Sequence, residues 1–184
     1  MASSANDPGI SSDHILIEQV TSMTKDFYDG LIHLLPQLSS SAKVPVKERL
    51  DKIISDPNIV ILIARLSDSD PHDSAHTDGV DQTETLTKTT NIAGMITVSY
   101  LNLLTGTIAL IEDVVVDQSF QNRGIGKNLV RAAIDNCKQN NVKHIELTSR
   151  PQRVSANKLY EKMGFSKRET NVWRYVNQDY LLNI

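Results

Sequence analysis

The sequence lacks most of the features that would assign a partner outright. It holds one cysteine, Cys137, which excludes an intramolecular disulfide and any zinc site built from several cysteines, and which fits a reducing compartment. It has no block of clustered basic residues. The 19 Lys and Arg stand against 22 Asp and Glu, a formal charge of −3, so the electrostatic footprint of a nucleic-acid binder is missing. Long apolar runs are also missing: Ile59 to Ala64 and Val114 to Val116 fall well short of the ~20 residues that span a bilayer. Residues 1–12 carry no basic or apolar stretch, so neither a secretory signal nor a transit peptide is visible, and they read as a disordered tail. What remains is 184 residues, 40% hydrophobic, enough for one domain with its own core. We expect a soluble, cytoplasmic chain, the nucleus being left open, with a single domain over residues 13–184.

The charge is unevenly spread. Ser67 to Thr90 holds six acids, one lysine and only Ala75, Val80 and Leu86 as aliphatic residues, a local charge of −5 that leaves +2 for the rest. Such a stretch contributes no core and reads as a polar insertion at a strand connection, where closure entropy grows slowly with length. His72 and His76 sit four apart beside Asp70 and Asp73. No helix-forming residues surround them, so no metal site is expected.

Elsewhere the hydrophobic periods are readable. His14 to Val20 suits a first strand; Ser22 to Leu35 has helical spacing and is expected to stop at Pro36; Pro45 to Ile54 reads as a second short helix. Strands follow at Ile59 to Leu66, Asn91 to Leu103 and Thr107 to Val116, the last two joined as a hairpin. Gly124 to Gln139 is an amphipathic helix with Cys137 on its apolar face, a buried small hydrophobe in this setting. Strand Lys143 to Thr148, helix Val154 to Met163 and a final strand at Val172 to Val176 complete the order, a mixture of α and β.

Three features carry chemistry. Gln121-Asn122-Arg123-Gly124-Ile125-Gly126-Lys127 is a strand-to-helix turn whose glycines permit close backbone approach and whose helix N-terminus favours an anion such as pyrophosphate, although plain capping gives the same pattern. It is neither a Walker motif nor G-x-G-x-x-G. Glu112 and Asp113 are adjacent carboxylates in an apolar strand ending at Val114-Val115-Val116. Alternation lets one of them face a given site unless a bulge intervenes. Ala156 to Phe165 is a helix stopped by Gly164, on which Tyr160 alone would be a half-buried core tyrosine.

Taken together, Ile111-Glu112-Asp113-Val114-Val115-Val116, then Gln121 to Lys127, then Leu159-Tyr160-Glu161-Lys162-Met163-Gly164-Phe165 resemble the GCN5-related N-acetyltransferase superfamily over Gly94 to Val176. The first strand also looks like that of glucosamine-6-phosphate N-acetyltransferases, whereas Ser149-Arg150-Pro151-Gln152-Arg153 and Glu169 to Val172 look like other members. The resemblance implies the α/β (α+β) fold of that superfamily: a mixed, centrally splayed β-sheet of about six to seven strands flanked by about four helices.

It also implies an acetyl-CoA-dependent N-acetyltransferase, with no metal. Val114, Val115 and Val116 would lend backbone bonds to the pantetheine arm. Gln121, Asn122, Arg123, Gly124, Ile125, Gly126 and Lys127 would cradle the pyrophosphate. Asn157 would contact the pantetheine and Tyr160 would protonate the departing thiolate. Asn122 stands where many members have glycine, and Arg153 where many have asparagine.

A neutral amine must attack the thioester, so a base is needed; Glu112 is the first candidate and Asp113 the second. The acceptor expected is a small-molecule primary amine of amino sugar, amino acid or polyamine type. Glu112, Asp113, Arg150, Arg153 and Arg174 are the residues available to bind it, the arginines for a phosphate or carboxylate. A protein or peptide amine and a non-catalytic acyl-CoA-binding module are the alternatives. No nucleic-acid or membrane partner is expected, and an exposed strand at Val172 to Val176 would allow a homodimer.

Overall fold

The computed structural model of the chain describes residues 15–67 and 91–177. The expected tail, the insertion apart from Ser67, and the His72/His76 pair lie outside those residues. The described elements are β1 (Ile15–Gln19), α1 (Lys25–Leu38), α2 (Lys47–Ser55), β2 (Ile59–Leu66), β3 (Ile92–Leu103), β4 (Gly106–Val116), α3 (Ile125–Gln139), β5 (Ile145–Leu147) and α4 (Val154–Lys162), with one 3-10 turn at Gln118–Phe120.

The strands form one sheet in the order β1-β2-β3-β4-β5. The first three pairings are antiparallel; β4 and β5 run parallel, as the intervening α3 crossover requires. Both faces of the sheet are covered, which explains why β2 reads as an almost continuous apolar run and not as an alternation. On one face α3 contributes Ile125, Leu129, Val130, Ala133 and Cys137, all buried, and packs with Ile96, Val98, Ile111 and Tyr160. On the other face α1 and α2 bring Phe27, Leu31, Leu34 and Leu50 against Ile61, Ile63, Met95 and Val115. Gly94 lets β4 approach α3: a Cβ there would sit 2.8 Å from the Val115 carbonyl oxygen and 3.2 Å from Leu129.

Three expectations are corrected. Helix α1 does not stop at Pro36 but runs through it to Leu38. Proline removes one helical hydrogen bond, while the Ser39 N–H still bonds the Leu35 carbonyl and Leu35 and Leu38 pack on the α1/α2 core, so the last turn is retained. The sheet has five strands among the described residues, fewer than the six to seven expected. The missing one is Val172 to Val176, which pairs with nothing in the sheet and lies exposed. The four helices are as expected.

Candidate active site

Strands β4 and β5 pair only at Ala109–Ile145, Leu110–Glu146 and Ile111–Leu147. After Ile111 the β4 strand continues to Val116 along β3 alone, so a gap opens between β4 and the chain that follows β5. The Asp117 N–H donates to Ala93 on β3 at 2.9 Å. By strand alternation the amides of Val116 and Val114 therefore turn the other way, toward the gap.

The pairing of β3 with β4 slips by one residue between Met95–Val115 and Thr97–Glu112. This bulge inserts Asp113, whose φ of 51° lies in the left-handed region. Glu112 stands opposite Thr97 in the register, and the Asp113 carboxylate accepts a hydrogen bond from the Thr97 side chain. Both acids thus project on the face that carries α1 and α2. Strict alternation would have separated them; the bulge is what brings them together. Burial raises the Glu112 carboxyl above its ordinary value and the neighbouring Asp113 charge adds to the shift. Burial also raises Asp113, against the opposing pull of its Thr97 bond.

Tyr160 lies on the opposite face, in the α3/α4 core, 9% exposed and edge-to-face with Phe165 at 6.0 Å between ring centres. Burial raises its hydroxyl pKa, with Arg153 pulling the other way, so the phenol keeps its proton at neutral pH. The two acids and the protonated tyrosine thus lie on opposite faces of the sheet, the acids on the α1/α2 face and Tyr160 in the α3/α4 core.

At the far end of β4 the chain turns into α3. Buried Asp117 accepts from the Ser119 N–H at 2.8 Å and pairs with His33 of α1. Burial opposes its ionisation, but the Ser119 and His33 bonds win and hold the carboxyl below the usual range. Gln37 of α1 accepts from the Gln118 N–H at 2.9 Å. Asn122 (φ 63°) and Gly124 (φ 80°) are both left-handed, and an added Cβ at Gly124 would meet only open space. The first α3 hydrogen bond runs from Asn128 to Gly124, so the N–H groups of Ile125, Gly126 and Lys127 have no partner within the helix. Gly126 lies between Val116 and Leu159, each about 3.5 Å from a notional Cβ. Arg123 stacks over Phe120 at 5.2 Å, Gln121 and Lys127 are exposed, and Ile125 is buried as the helix anchor.

The remaining candidates are spread along the chain after β5. Asn157 donates to the Arg150 carbonyl at 3.1 Å and so fixes the loop before α4. Arg153 donates to the Leu38 carbonyl at 3.2 Å, tying the start of α4 to the end of α1. Arg150 is exposed, and Arg174 belongs to the exposed run that follows Gly164. Sequence reasoning missed Ser149. Its hydroxyl oxygen is buried just past the last β4–β5 pair and has no hydrogen-bond partner among the described residues. The only sequence signal was a lone serine two residues beyond an apolar strand. Cys137 is fully buried, burial pushes its thiol up, and it is removed from the gap chemistry.

These features fit a long thioester cofactor bearing pyrophosphate. An unsatisfied strand edge, an orphaned buried hydroxyl and an open left-handed turn before a helix N-terminus are groups that such a ligand would satisfy. No helix among the described residues is long and apolar enough to cross a membrane.

Comparison with solved structures agrees with this architecture. An aminoglycoside acetyltransferase from an uncultured soil metagenomic sample, crystallised with trehalose, superimposes with a TM-score of 0.67 at 19% identity, covering 90% of this chain and 97% of that one. A transcriptional regulator from Bacillus halodurans gives 0.66 at 23% identity, covering 89% and 100%. Glucosamine-6-phosphate N-acetyltransferase from Arabidopsis thaliana gives 0.64 at 23% identity, covering 88% and 99%. At these identities the likeness is one of fold. The family model for acetyltransferases of the GNAT type matches residues 56–165, well over half the chain and all of the gap, turn and α4 described above; the chain belongs to the acetyltransferase (GNAT) family.

Proposed function

We propose that the chain transfers an acetyl group from acetyl-CoA to the primary amine of a small molecule of amino sugar, amino acid or polyamine type. The observation that carries this reading is the parting of β4 from β5 after Ile111–Leu147, with the acids on one face of the sheet and Tyr160 in the core on the other. When bound, acetyl-CoA supplies an activated acyl carbon in its thioester. Val114 and Val116 hold the pantetheine arm by their backbone amides, with Ser149 adding a hydroxyl. The turn from Gln121 to Lys127 holds the pyrophosphate by N–H groups and the positive end of α3.

Most amines are protonated near neutral pH. Glu112 removes the proton from the amine nitrogen, directly or through a water, and its raised pKa suits it to that task. Asp113 raises the basicity of Glu112 by its charge and adds to the negative field that draws a cationic amine to this face. A backbone N–H in the gap, that of Val114 or its neighbour, stabilises the developing negative oxygen. Tyr160 delivers its hydroxyl proton to the sulfur as it leaves. Arg150, exposed in the loop before α4, and Arg153 at its N-terminus meet an anionic group on the acceptor.

The small-molecule reading draws support from the named activities of two structural neighbours, an aminoglycoside acetyltransferase and glucosamine-6-phosphate N-acetyltransferase. It is tested by following release of CoA thiol from acetyl-CoA against a panel of amino sugars, amino acids, polyamines and histone-like peptides. Release with a small amine supports it. Release with peptides alone moves the acceptor to a protein amine, and binding without release above the blank makes the chain an acyl-CoA-binding module.

A further inference from the structure

Helix α1 is anchored on the sheet by Leu31, Leu34, Leu35 and Leu38, and its C-terminal end also makes three polar contacts that lie outside that apolar core. His33 bonds the Asp117 carboxylate, and Gln37 accepts from the Gln118 N–H at 2.9 Å, both in the turn that leaves β4. The Leu38 carbonyl accepts from Arg153 at 3.2 Å, at the start of α4. Continuation of α1 through Pro36 is what sets Gln37 about one helical turn from His33, so that the two side chains rise from one face of the helix. One end of α1 therefore grips both the β4–α3 turn and the chain that follows β5.

Asp117 is the pivot of this arrangement. Its side chain is 6% exposed, and each carboxylate oxygen has a partner, the Ser119 N–H at 2.8 Å on one and His33 on the other. An ionised carboxylate only accepts, so Nε2 of His33 carries the proton between them. A buried carboxylate stripped of one donor turns toward water. Here that movement would release the Ser119 N–H and loosen the 3-10 turn, in which the Phe120 N–H bonds the Asp117 carbonyl at 2.9 Å. Phe120 supports Arg123 at 5.2 Å, and Arg123 precedes Gly124, whose left-handed φ of 80° opens the N-terminus of α3. Contacts thus run without a break from His33 through Asp117 and Phe120 to Arg123. An Asp117 carboxylate without its donor would also add bare negative charge beside the turn that meets pyrophosphate.

We propose that His33 and Gln37 are positioning residues for the cofactor, fixing the β4–α3 turn in the form that binds pyrophosphate through their bonds to Asp117 and Gln118. His33 acts through Asp117, and Gln37 through the backbone of Gln118; neither is asked to touch the ligand. The inference rests on the acetyl-CoA reading above. It makes part of the cofactor affinity depend on α1, which lies before residues 56–165, the span that matches the family model.

Calorimetry of acetyl-CoA binding to the full chain and to its H33A, H33Q and Q37A variants tests this, with S-acetylpantetheine, which lacks the pyrophosphate, followed by ligand-observed NMR as the control. H33A should raise the acetyl-CoA dissociation constant roughly tenfold, within the worth of a hydrogen bond to a charged group, and leave S-acetylpantetheine binding unchanged. Its circular dichroism spectrum should be that of the parent, since the His33 side chain is half exposed. H33Q, whose amide N–H takes the place of the Nε2 donor, should restore most of the affinity, and Q37A should show a smaller loss with the same selectivity. In turnover, the KM for acetyl-CoA should rise in H33A with kcat retained. Unchanged acetyl-CoA affinity in H33A and Q37A, an equal loss for both ligands, or an H33Q no better than H33A would each overturn the inference and leave the acetyl-CoA reading standing. Failure of the unaltered chain to bind acetyl-CoA would overturn both. If H33A does not fold, the same comparison of the two ligands on Q37A decides.

Discussion

Glu112 and Asp113, neighbours in the chain, stand on the same face of the sheet because Asp113 occupies a bulge at φ 51° opposite the Met95–Thr97 stretch of β3. Two carboxylates that a regular strand would divide between two environments therefore share one, and the Asp113 charge raises the cost of ionising Glu112. Burial and the Asp113 charge both push the Glu112 carboxyl up. That shift moves a carboxylate toward the working range of a general base.

Glu112→Gln should lower kcat/KM by roughly 10²–10⁴, the usual worth of a positioned acid or base, with little change in acetyl-CoA affinity. In the unaltered protein the acid limb of the pH profile should lie above the ordinary glutamate range, because the base works only when deprotonated and its pKa is raised. Steady-state rates across pH check this. An unaltered rate and profile in the variant would remove Glu112 from the chemistry.

Asp113→Asn should affect stability in the opposite sense to most substitutions. A carboxyl whose pKa is higher in the folded than in the unfolded chain favours folding as pH falls through the folded value and opposes it above. Asparagine removes that penalty, tolerates the left-handed backbone and keeps an oxygen for Thr97. Thermal melts should give a higher Tm than the parent at neutral pH, the difference shrinking in acid. The acid limb of the activity profile should move to lower pH, since Glu112 loses a neighbouring charge.

Tyr160→Phe should reduce turnover while leaving acetyl-CoA affinity nearly unchanged. The ring, its edge contact with Phe165 and its place in the core are retained; only the proton donor is lost. Comparing kcat with the dissociation constant from calorimetry separates the two. Equal losses in both would mean that the hydroxyl binds cofactor and does not deliver a proton.

Ser149→Ala should leave folding stability equal or slightly increased, because a buried hydroxyl without a protein partner costs desolvation and returns nothing in the free chain. If that hydroxyl meets the pantetheine, acetyl-CoA affinity should fall by about a factor of 5–10, the net worth of one neutral hydrogen bond. Melting and binding measured on one preparation read both. A large drop in Tm with unchanged affinity would make Ser149 a structural residue.

The parts of the molecule written in short-range patterns were legible beforehand. The apolar spacing of Ile125, Leu129, Ala133 and Cys137 gave α3 and its buried face, and the run Ile59 to Leu66 gave β2 to the residue. The glycine turn before α3 was equally plain, since positive φ at Gly124 is a local requirement. What local pattern could not express was decided by contacts far apart in sequence. Pro36 is carried inside α1 because Leu35 and Leu38 pack on the sheet and Gln37 reaches Gln118. The bulge at Asp113 depends on the register with Met95 and Thr97, which nothing in Ile111 to Val116 encodes alone. Val172 to Val176 has strand propensity but pairs with no strand among the described residues, and propensity without a partner makes no strand. At the site, the residue types were readable; which face each occupies, and that Ser149 is buried beside the gap, were not.

The central claim is that an acetyl group passes directly to an amine across the β4–β5 gap. Mass spectrometry of the reaction of acetyl-CoA with the protein and each amine of the panel tests this most directly. The account predicts one equivalent of acetylated small amine for each CoA released, no acetyl group retained on the protein, and loss of product in Glu112→Gln and Tyr160→Phe. Acetyl-CoA bound but returned intact with every amine would contradict it.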